Sequence, residues 1–163
     1  MWHIAQTDEA GQPVLGHADG RPIHLGVTLR VEGRPVLCGH GLHACERLID
    51  CLAYAQGTVI CRVTLGGETV AVGDKTVAQE RTVLAWTTAE AGERILRAFT
   101  LWCALSVAHL WDMPAVVRRY LETGDESLRR DAAYAAYAAA LDAGKTEQEQ
   151  YLLALVEAEL RED

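Results

Sequence analysis

The sequence predicts an α+β fold, with a β-rich N-terminal part that contains one short helix and a C-terminal bundle of about four helices. The first 88 residues carry runs of β-branched residues separated by glycine-containing turns. The remaining residues carry helix-start signals and a long alanine-rich run. The chain has 163 residues and is half apolar, which is typical of a globular protein that needs no disulfide bonds. We expect two domains, 1–88 and 89–163, the acidic helical domain packed on the β-rich one.

Turn residues divide the β-rich part into two predicted hairpins. In each, a strand-forming run precedes a short glycine-containing segment and a second run follows it. The first hairpin joins residues 27–31 and 35–38 through Glu32-Gly33-Arg34, and the second joins residues 58–65 and 69–72 through Gly66-Gly67.

Residues 76–77 and 82–86 supply further strand material. Between the hairpins, apolar residues recur at helical spacing from Leu48 to Ala53. This spacing predicts a short helix over residues 46–54.

Two segments resemble capping boxes, residues 87–90 and residues 146–149. The first would open a helix that carries Ile95, Phe99 and Trp102 and is apolar almost all round. Such a helix packs between other elements, so we expect Trp102 to be buried.

Three more helices follow from local signals. Asp112-Met113-Pro114 opens one that runs to about Thr123, Gly124 suits the left-handed position after it, and Asp125 caps the next. The alanine-rich helix over 132–141 carries a packing stripe of Tyr134, Tyr137 and Leu141, and the last helix covers 147–160. The tyrosine stripe could pack within one chain or between two, so the protein is expected to be a monomer or a homodimer.

Net charge argues against a nucleic-acid partner, and the apolar pattern argues against a membrane span. Lysine and arginine total 15 against 23 acidic residues, a net charge of −8. Phosphate repulsion opposes binding to a nucleic-acid backbone, so no nucleic-acid partner is expected. The most apolar segment, residues 95–111, is interrupted by Arg97, Ser106 and His109 and is short for a membrane span. Without a targeting signal, the expected compartment is the cytoplasm, where five cysteines would remain reduced.

The charge is unevenly divided. The first 88 residues hold seven basic and nine acidic side chains, a balance of −2, and the remaining 75 hold eight and fourteen, a balance of −6. The acidic helical part is either a solvated face or a surface for a cationic partner.

The densest group of reactive side chains lies between residues 38 and 45. Cys38, His40, His43 and Cys45 could supply the four ligands of a zinc ion. The alternative is that the cysteines of this region are small buried apolar side chains, as we expect for Cys51 and Cys61.

Cys45 is also a candidate nucleophile. It precedes the predicted helix and lies two residues from His43, and either neighbour can lower a thiol pKa. The alternative role for His43 is structural, in which its side chain bonds backbone groups of its own loop.

Two pairs of opposite charge, Asp74-Lys75 and Glu80-Arg81, bracket residues 76–79. They could form a surface ion-pair network, which contributes little stability. If the fold brings them close to His43, they would line a polar pocket instead. The candidate binding residues are therefore His40, His43, Tyr54, Asp74, Lys75 and Arg81.

Several of these residues carry a resemblance. Gly41-Leu42-His43-Ala44-Cys45, the leucine-aspartate segment 48–55 and the strand 59–67 resemble an uncharacterised family of phage and bacterial proteins with a G-[FLW]-H-A-[SC] motif. Asp74-Lys75 and Glu80-Arg81-Thr82 are similar to the next motif of that family. The resemblance implies no catalytic residue.

The helical part is similar to a second group. Residues 96–99, 102–104 and 120–125 and the alanine-rich run resemble helical segments of immunity-like bacterial proteins. This resemblance implies a protein-binding role.

A third resemblance is to ADP-ribosyltransferases, which order a first-strand histidine, a glycine-led strand with a second histidine or aromatic residue, and a later glutamate. His3, His43 and Glu80 follow that order. The resemblance implies that the site would clamp NAD and that Glu80 would orient the attacking group.

The leading hypothesis is a small non-enzymatic interaction protein of a phage, prophage or bacterial conflict system, binding a protein partner without a cofactor. The alternative is an NAD-dependent, ADP-ribosyltransferase-like enzyme that uses His3, His43 and Glu80. The third is a metal-binding module at residues 38–45.

Overall fold

The computed structural model describes residues 1–16 and 19–139 and divides into two compact units, Met1–Arg97 and Ala98–Asp163. The first unit holds an antiparallel sheet and the helices lie mainly in the C-terminal part, which confirms the α+β class. The first unit ends at Arg97, within the helix Ala89–Ser106. The expected domain boundary was residue 88, nine residues earlier. No helix in the described part of the chain is long and apolar enough to cross a membrane.

Six strands make up the sheet, and the described helices follow them apart from one short helix between β4 and β5. The strands are β1 (Trp2–Thr7), β2 (Pro13–Val14), β3 (Thr28–Arg30), β4 (Leu42–Cys45), β5 (Val59–Val72) and β6 (Lys75–Trp86). The helices are α1 (Leu48–Cys51), α2 (Ala89–Ser106), α3 (Ala115–Thr123) and α4 (residues 129–139). Three short 3-10 segments cover Leu52–Tyr54, Ala108–Leu110 and Glu126–Leu128.

Four of the strands pair in a closed cycle. β1 pairs with β5, β5 with β6, β6 with β4, and β4 returns to β1 through the single pair Trp2–Cys45. β2 extends the sheet from β1, and β3 extends it from β6. The cycle makes β1, β4 and β6 successive neighbours, which matters because each carries at least one candidate site residue.

Two apolar clusters hold the first unit together. The larger joins the sheet to the 14–23 segment and buries Ala5, Leu15, Ile23, Leu42, Ala44, Val59, Cys61, Val63 and Val83. Complete burial of one valine or leucine side chain contributes about 1.5–3 kcal/mol, so this cluster is the main source of stability. The smaller cluster packs α1 on β1 and β4 through Ile4, Cys45 and Cys51.

The structure corrects both predicted hairpins. Residues 28–30 do form a strand, but they pair with β6, and the 35–40 segment is a turn closed by the Val36–His40 bridge. β5 continues through Gly66-Gly67, where the register shifts, and the chain reverses only at Gly73-Asp74. The glycine pair is therefore a bulge in one long strand and not a turn.

The helices predicted from local signals agree with the structure more closely than the predicted hairpins do. The helix predicted over 46–54 is present as α1 and the 3-10 turn that follows it. α2 begins at Ala89, but its cap is Thr88, whose Oγ1 accepts a hydrogen bond from the Ala91 N–H at 3.1 Å. Thr87, the expected capping residue, instead accepts one from the Ile60 N–H, which ties the helix start to β5.

In the second unit, α3 ends as predicted. Gly124 adopts the left-handed conformation with φ 64°, and the Asp125 side chain accepts a hydrogen bond from the Ser127 N–H. α3 and α4 share a small apolar cluster centred on Met113, Val117 and Ala132. The box at 146–149, Leu141 and the helix over 147–160 lie outside the described residues.

The expected burial of Trp102 is wrong. Its side chain is 64% exposed and stacks on Phe99 with ring centroids 6.3 Å apart. Tyr134 and Tyr137 are also exposed, at 76% and 63%. An all-round apolar pattern thus does not by itself show which side of a helix is covered.

Candidate ligand-binding cleft

A cleft of about 980 Å³ opens in the first unit. Its wall brings together His3 from β1, His43 from β4 and Arg81 from β6. Ligand sites commonly measure about 300–1,000 Å³, so this cleft is at the upper end of that range. Three of the predicted site residues thus meet because their strands are neighbours.

Arg81 is the buried charge of this wall. It is only 2% exposed, and its Nη1 donates to the His43 carbonyl oxygen at 2.7 Å. Its Nε and Nη2 are buried and hydrogen-bond to no protein atom. Burial lowers the pKa of Arg81 to about 10, so the guanidinium is still charged at neutral pH.

His3 lies against this charge. The residue is partly buried, but its Nε2 is shielded from solvent and has no hydrogen-bond partner in the protein. Burial, followed by the charges of Arg81 and His43, holds the pKa of His3 well below its ordinary value. His3 is therefore a neutral imidazole at pH 7.

His43 organises the loop that precedes β4. Its Nε2 accepts a hydrogen bond from the Cys38 N–H at 3.3 Å, and Cys38 has a φ of 58°, which is rare outside glycine. Gly41 has a φ of 127°, and a side chain there would meet Val77. His43 thus combines a structural bond with a position in the cleft wall.

Lys75 and Tyr54 form the rim. The Lys75 Nζ lies 3.9 Å from the centroid of the Tyr54 ring and 3.3 Å from the Cys38 Sγ. The Tyr54 hydroxyl donates to the Asp74 carboxylate at 3.0 Å, and this bond raises the pKa of Tyr54. Asp74-Lys75 and Glu80-Arg81 therefore do not form one surface ion-pair network, because Asp74 bonds Tyr54 and the Arg81 side chain is buried.

His40 also lines the cleft, and its ring nitrogen is 2.6 Å from the Glu32 carbonyl oxygen. Among the described residues of the wall, Arg21, Arg30, Lys75 and Arg81 are cationic, whereas Asp19 and Glu32 are acidic. Four positive charges against two negative ones give the wall a balance of +2 in a chain of net charge −8. Such a wall favours anionic ligands.

Glu80 does not join the histidines. Its carboxylate pairs with the Arg30 Nε at 2.9 Å, and it is absent from the described residues that line the cleft. It neighbours Arg81 along β6, and successive side chains of a strand point to opposite faces.

Three of the four metal-ligand candidates, Cys38, His40 and His43, line the cleft, but their side chains have other partners and Cys45 lies apart from them. Cys45 is buried with Cys51 beside α1, Cys38 contacts Lys75, and His40 bonds Glu32. Within residues 1–16 and 19–139, no group of three or more histidine, cysteine, aspartate or glutamate side chains is arranged to hold a metal ion.

The cysteine chemistry is also not that of an activated nucleophile at Cys45. Burial raises the pKa of the Cys45 thiol and raises that of Cys51 to about 12. Both thiols are protonated at neutral pH, so the raised pKa of Cys45 does not favour its candidate role as a nucleophile. A thiol that packs in an apolar cluster behaves as a small apolar side chain.

Sequence reasoning named Arg81 as a candidate binding residue but left open whether it belongs to a surface ion pair or to a polar pocket, and it did not identify Arg81 as a buried charge. The sequence did carry a signal for its burial, because Arg81 is an even number of residues from the apolar Val77 and Val83 of the same strand, both of which are buried. Residues two apart share a face of a strand, so Arg81 was to be expected on the buried face. Arg21 and Arg30 were not predicted as cleft residues, because their position in the cleft wall depends on contacts between residues distant in sequence.

A family model described as Domain of unknown function (DUF7666) matches residues 21–92. The chain is therefore similar to an uncharacterised family over the residues from β3 to the start of α2. The match includes His43 and Arg81, whereas His3 lies outside it. No curated protein matches this chain. No solved structure matches it either.

Proposed function

We propose that residues 1–97 bind an NAD-type dinucleotide in the cleft. The observation that carries the proposal is that His3 and His43 line one cleft together with the buried Arg81. These are the two histidines to which the ADP-ribosyltransferase resemblance gives a role in clamping NAD.

Size and charge support this choice of ligand. A dinucleotide is a long molecule with a negatively charged pyrophosphate, and the cleft is both large and lined by an excess of positive charge. Arginine suits such a ligand because its planar fork matches phosphate oxygens. Tyr54 at the rim adds an aromatic surface beside these polar groups.

The proposal is for binding and does not include transfer of ADP-ribose. In the resemblance, a glutamate orients the attacking group, and Glu80 is the residue in that position of the sequence. Its carboxylate is paired with Arg30 instead of facing the cleft. The established geometry thus supports a ligand clamp without a catalytic carboxylate at Glu80.

Isothermal titration calorimetry of the full chain with NAD tests the proposal. We expect one saturable site, weakened at least about tenfold in His43→Ala, because a charge-assisted or buried contact contributes about 1.5–3 kcal/mol. His24→Ala is the matched control, since His24 is exposed and is absent from the described wall residues. No saturable heat at millimolar NAD would overturn the proposal.

A second candidate function is binding of a cationic protein partner by the helical unit, as expected of an immunity-like or phage interaction protein. It is favoured by exposed apolar side chains in this part of the chain, notably Trp102, Leu110 and Tyr137. Residues 89–163 carry a balance of −6, which suits a positively charged partner.

A helical peptide with leucines on one face and lysines on the other is the probe for this second function, and an analogue with glutamate in place of lysine is the control. Fluorescence anisotropy should show that only the cationic peptide binds and that Trp102→Ser with Tyr137→Ser weakens it. Equal binding of both peptides, or of neither, would overturn the second candidate.

A further inference from the structure

Three buried side-chain nitrogens in the described part of the chain have no hydrogen-bond partner in the protein. They are Nε and Nη2 of Arg81 and Nε2 of His3. Most buried polar groups in proteins are bonded, and each exception calls for an explanation. Here all three belong to two residues of one cleft wall, and the positive charge of Arg81 lowers the pKa of His3. The unpaired nitrogens are thus a property of a single place in the fold.

The guanidinium is both buried and short of negative charge. Arg81 is 2% exposed, and its Nη1 donates a hydrogen bond to a neutral group, the carbonyl of His43. Leaving a buried charge uncompensated is strongly unfavourable. A ligand that brings negative charge to this point would offset that cost.

The nearby carboxylates do not supply the missing charge. Asp19 is bonded to Arg21 at 2.7 Å, Glu80 is bonded to Arg30 at 2.9 Å, and Glu32 is exposed. The Asp74 carboxylate accepts from the Tyr54 hydroxyl at the rim. Each of these four carboxylates therefore has a partner other than Arg81 or faces water.

We propose that Arg81 and His3 form an oxyanion subsite that binds a phosphate group through the Nε and Nη2 of Arg81. The two nitrogens form one edge of the planar fork, which matches two oxygens of a phosphate group. His3 Nε2 supplies a third donor when it carries the ring proton. Lys75, which also lines the cleft, attracts the same anion from the rim. The inference names the anion subsite of the cleft and so rests on the proposed function.

The arginine Nε–Hε signals of the full, ¹⁵N-labelled chain test the subsite directly, with the Arg81 signal assigned by triple-resonance experiments. Inorganic phosphate, pyrophosphate and NAD are titrated separately. We expect a saturable shift of the Arg81 signal with pyrophosphate and with NAD, and a weaker response to phosphate. Because this readout uses the unmodified protein, it does not depend on whether a variant folds.

Arg81→Lys then tests the fork, since it keeps the charge but removes the paired donors. Pyrophosphate affinity should fall about 10- to 100-fold, as expected for loss of hydrogen bonds to a charged group. Arg34→Lys is the control, because Arg34 is exposed, pairs with Glu68 and is not among the described residues of the wall.

The outcomes separate the two proposals. An Arg81 signal that pyrophosphate does not move overturns the subsite. Binding of NAD with unchanged affinity in Arg81→Lys also overturns the subsite but leaves the proposed function intact. Binding of pyrophosphate through Arg81 without any binding of NAD supports the subsite and overturns the dinucleotide.

Discussion

Arg81 shows how one side chain can be placed at a cost to stability. A guanidinium in the same position on an exposed strand would be hydrated, whereas here it lies beneath the wall of a cleft with two nitrogens unbonded. Functional sites are where such departures from efficient packing concentrate. His3, beside it, is kept neutral by the same burial and by the same positive charge.

The lowered pKa of His3 has a consequence for stability in acid. Below about pH 6.5 an unfolded histidine binds a proton that the folded His3 does not, so the free energy of unfolding falls as the pH falls. The contribution of one such group is at most about 1.4 kcal/mol per pH unit. Urea unfolding of His3→Phe between pH 7 and pH 5 should therefore show a shallower loss of stability than the wild type. His24→Phe is the control, and a His3→Phe curve parallel to that of the wild type would contradict the burial of His3.

The cysteines should differ in their reactivity. Burial raises the pKa of Cys51 to about 12 and that of Cys61 to about 11, and it also raises that of Cys45. Since the thiolate is the reactive form, iodoacetamide at pH 8 should alkylate the exposed Cys38 well before these three. Peptide mass spectrometry over time measures the order, and early alkylation of Cys45 would show that it is an accessible nucleophile.

At the scale of elements, local signals were reliable and pairings were not. The αL glycine at 124 and the cap at Asp125 were predictable because each depends on a few adjacent residues. The pairing of β3 with β6 was not, because it joins Arg30 to Glu80 across fifty positions of sequence. Gly66-Gly67 misled for a related reason, since a turn and a bulge both favour glycine.

The start of α2 lies very close to β5. Gly92 is buried, and a side chain there would meet the Thr58 carbonyl oxygen. Alanine normally stabilises a helix relative to glycine by about 1 kcal/mol, but here overpacking should reverse the sign. We expect Gly92→Ala to lower the free energy of unfolding by about 1–3 kcal/mol in urea denaturation. Glu93→Ala, at an exposed neighbour, should change little, and a stabilising Gly92→Ala would contradict the close approach.

The exposure of Trp102 predicts a small effect of its removal. Surface substitutions usually change stability by no more than about 0.5 kcal/mol, whereas removal of a buried tryptophan costs about 3–5 kcal/mol. Urea denaturation of Trp102→Ala should give the smaller value, because the side chain is 64% exposed. A loss above about 2 kcal/mol would show that the indole is covered, as the apolar pattern of the helix suggested.

At the scale of the whole molecule, the sequence named several residues that line the cleft but not their arrangement. His3, His43, Tyr54, Lys75 and Arg81 were all named as candidates, and all five line the cleft. Asp74 and Glu80 were named with them, but neither is among the described residues that line the cleft. Asp74 accepts a hydrogen bond from Tyr54, and Glu80 pairs with Arg30. Which charged residue turns inward is decided by the closed cycle of strand pairs, and that cycle depends on contacts too distant to be read from local patterns.

The two proposed functions fall in different units of the chain. The described residues of the cleft wall lie between His3 and Arg81, within the first unit, whereas the exposed aromatic residues Trp102, Tyr134 and Tyr137 lie in the second. Ligand binding and partner binding can therefore be tested separately on the full chain.

The most direct test of the central claim is amide chemical-shift mapping of the full, ¹⁵N-labelled chain during titration with NAD. The dinucleotide cleft predicts saturable shifts that concentrate on β1, β4 and β6 around His3, His43 and Arg81. The amides of residues 98–139 should stay nearly unchanged. Absence of saturable shifts at millimolar NAD, or shifts confined to the second unit, would contradict the account.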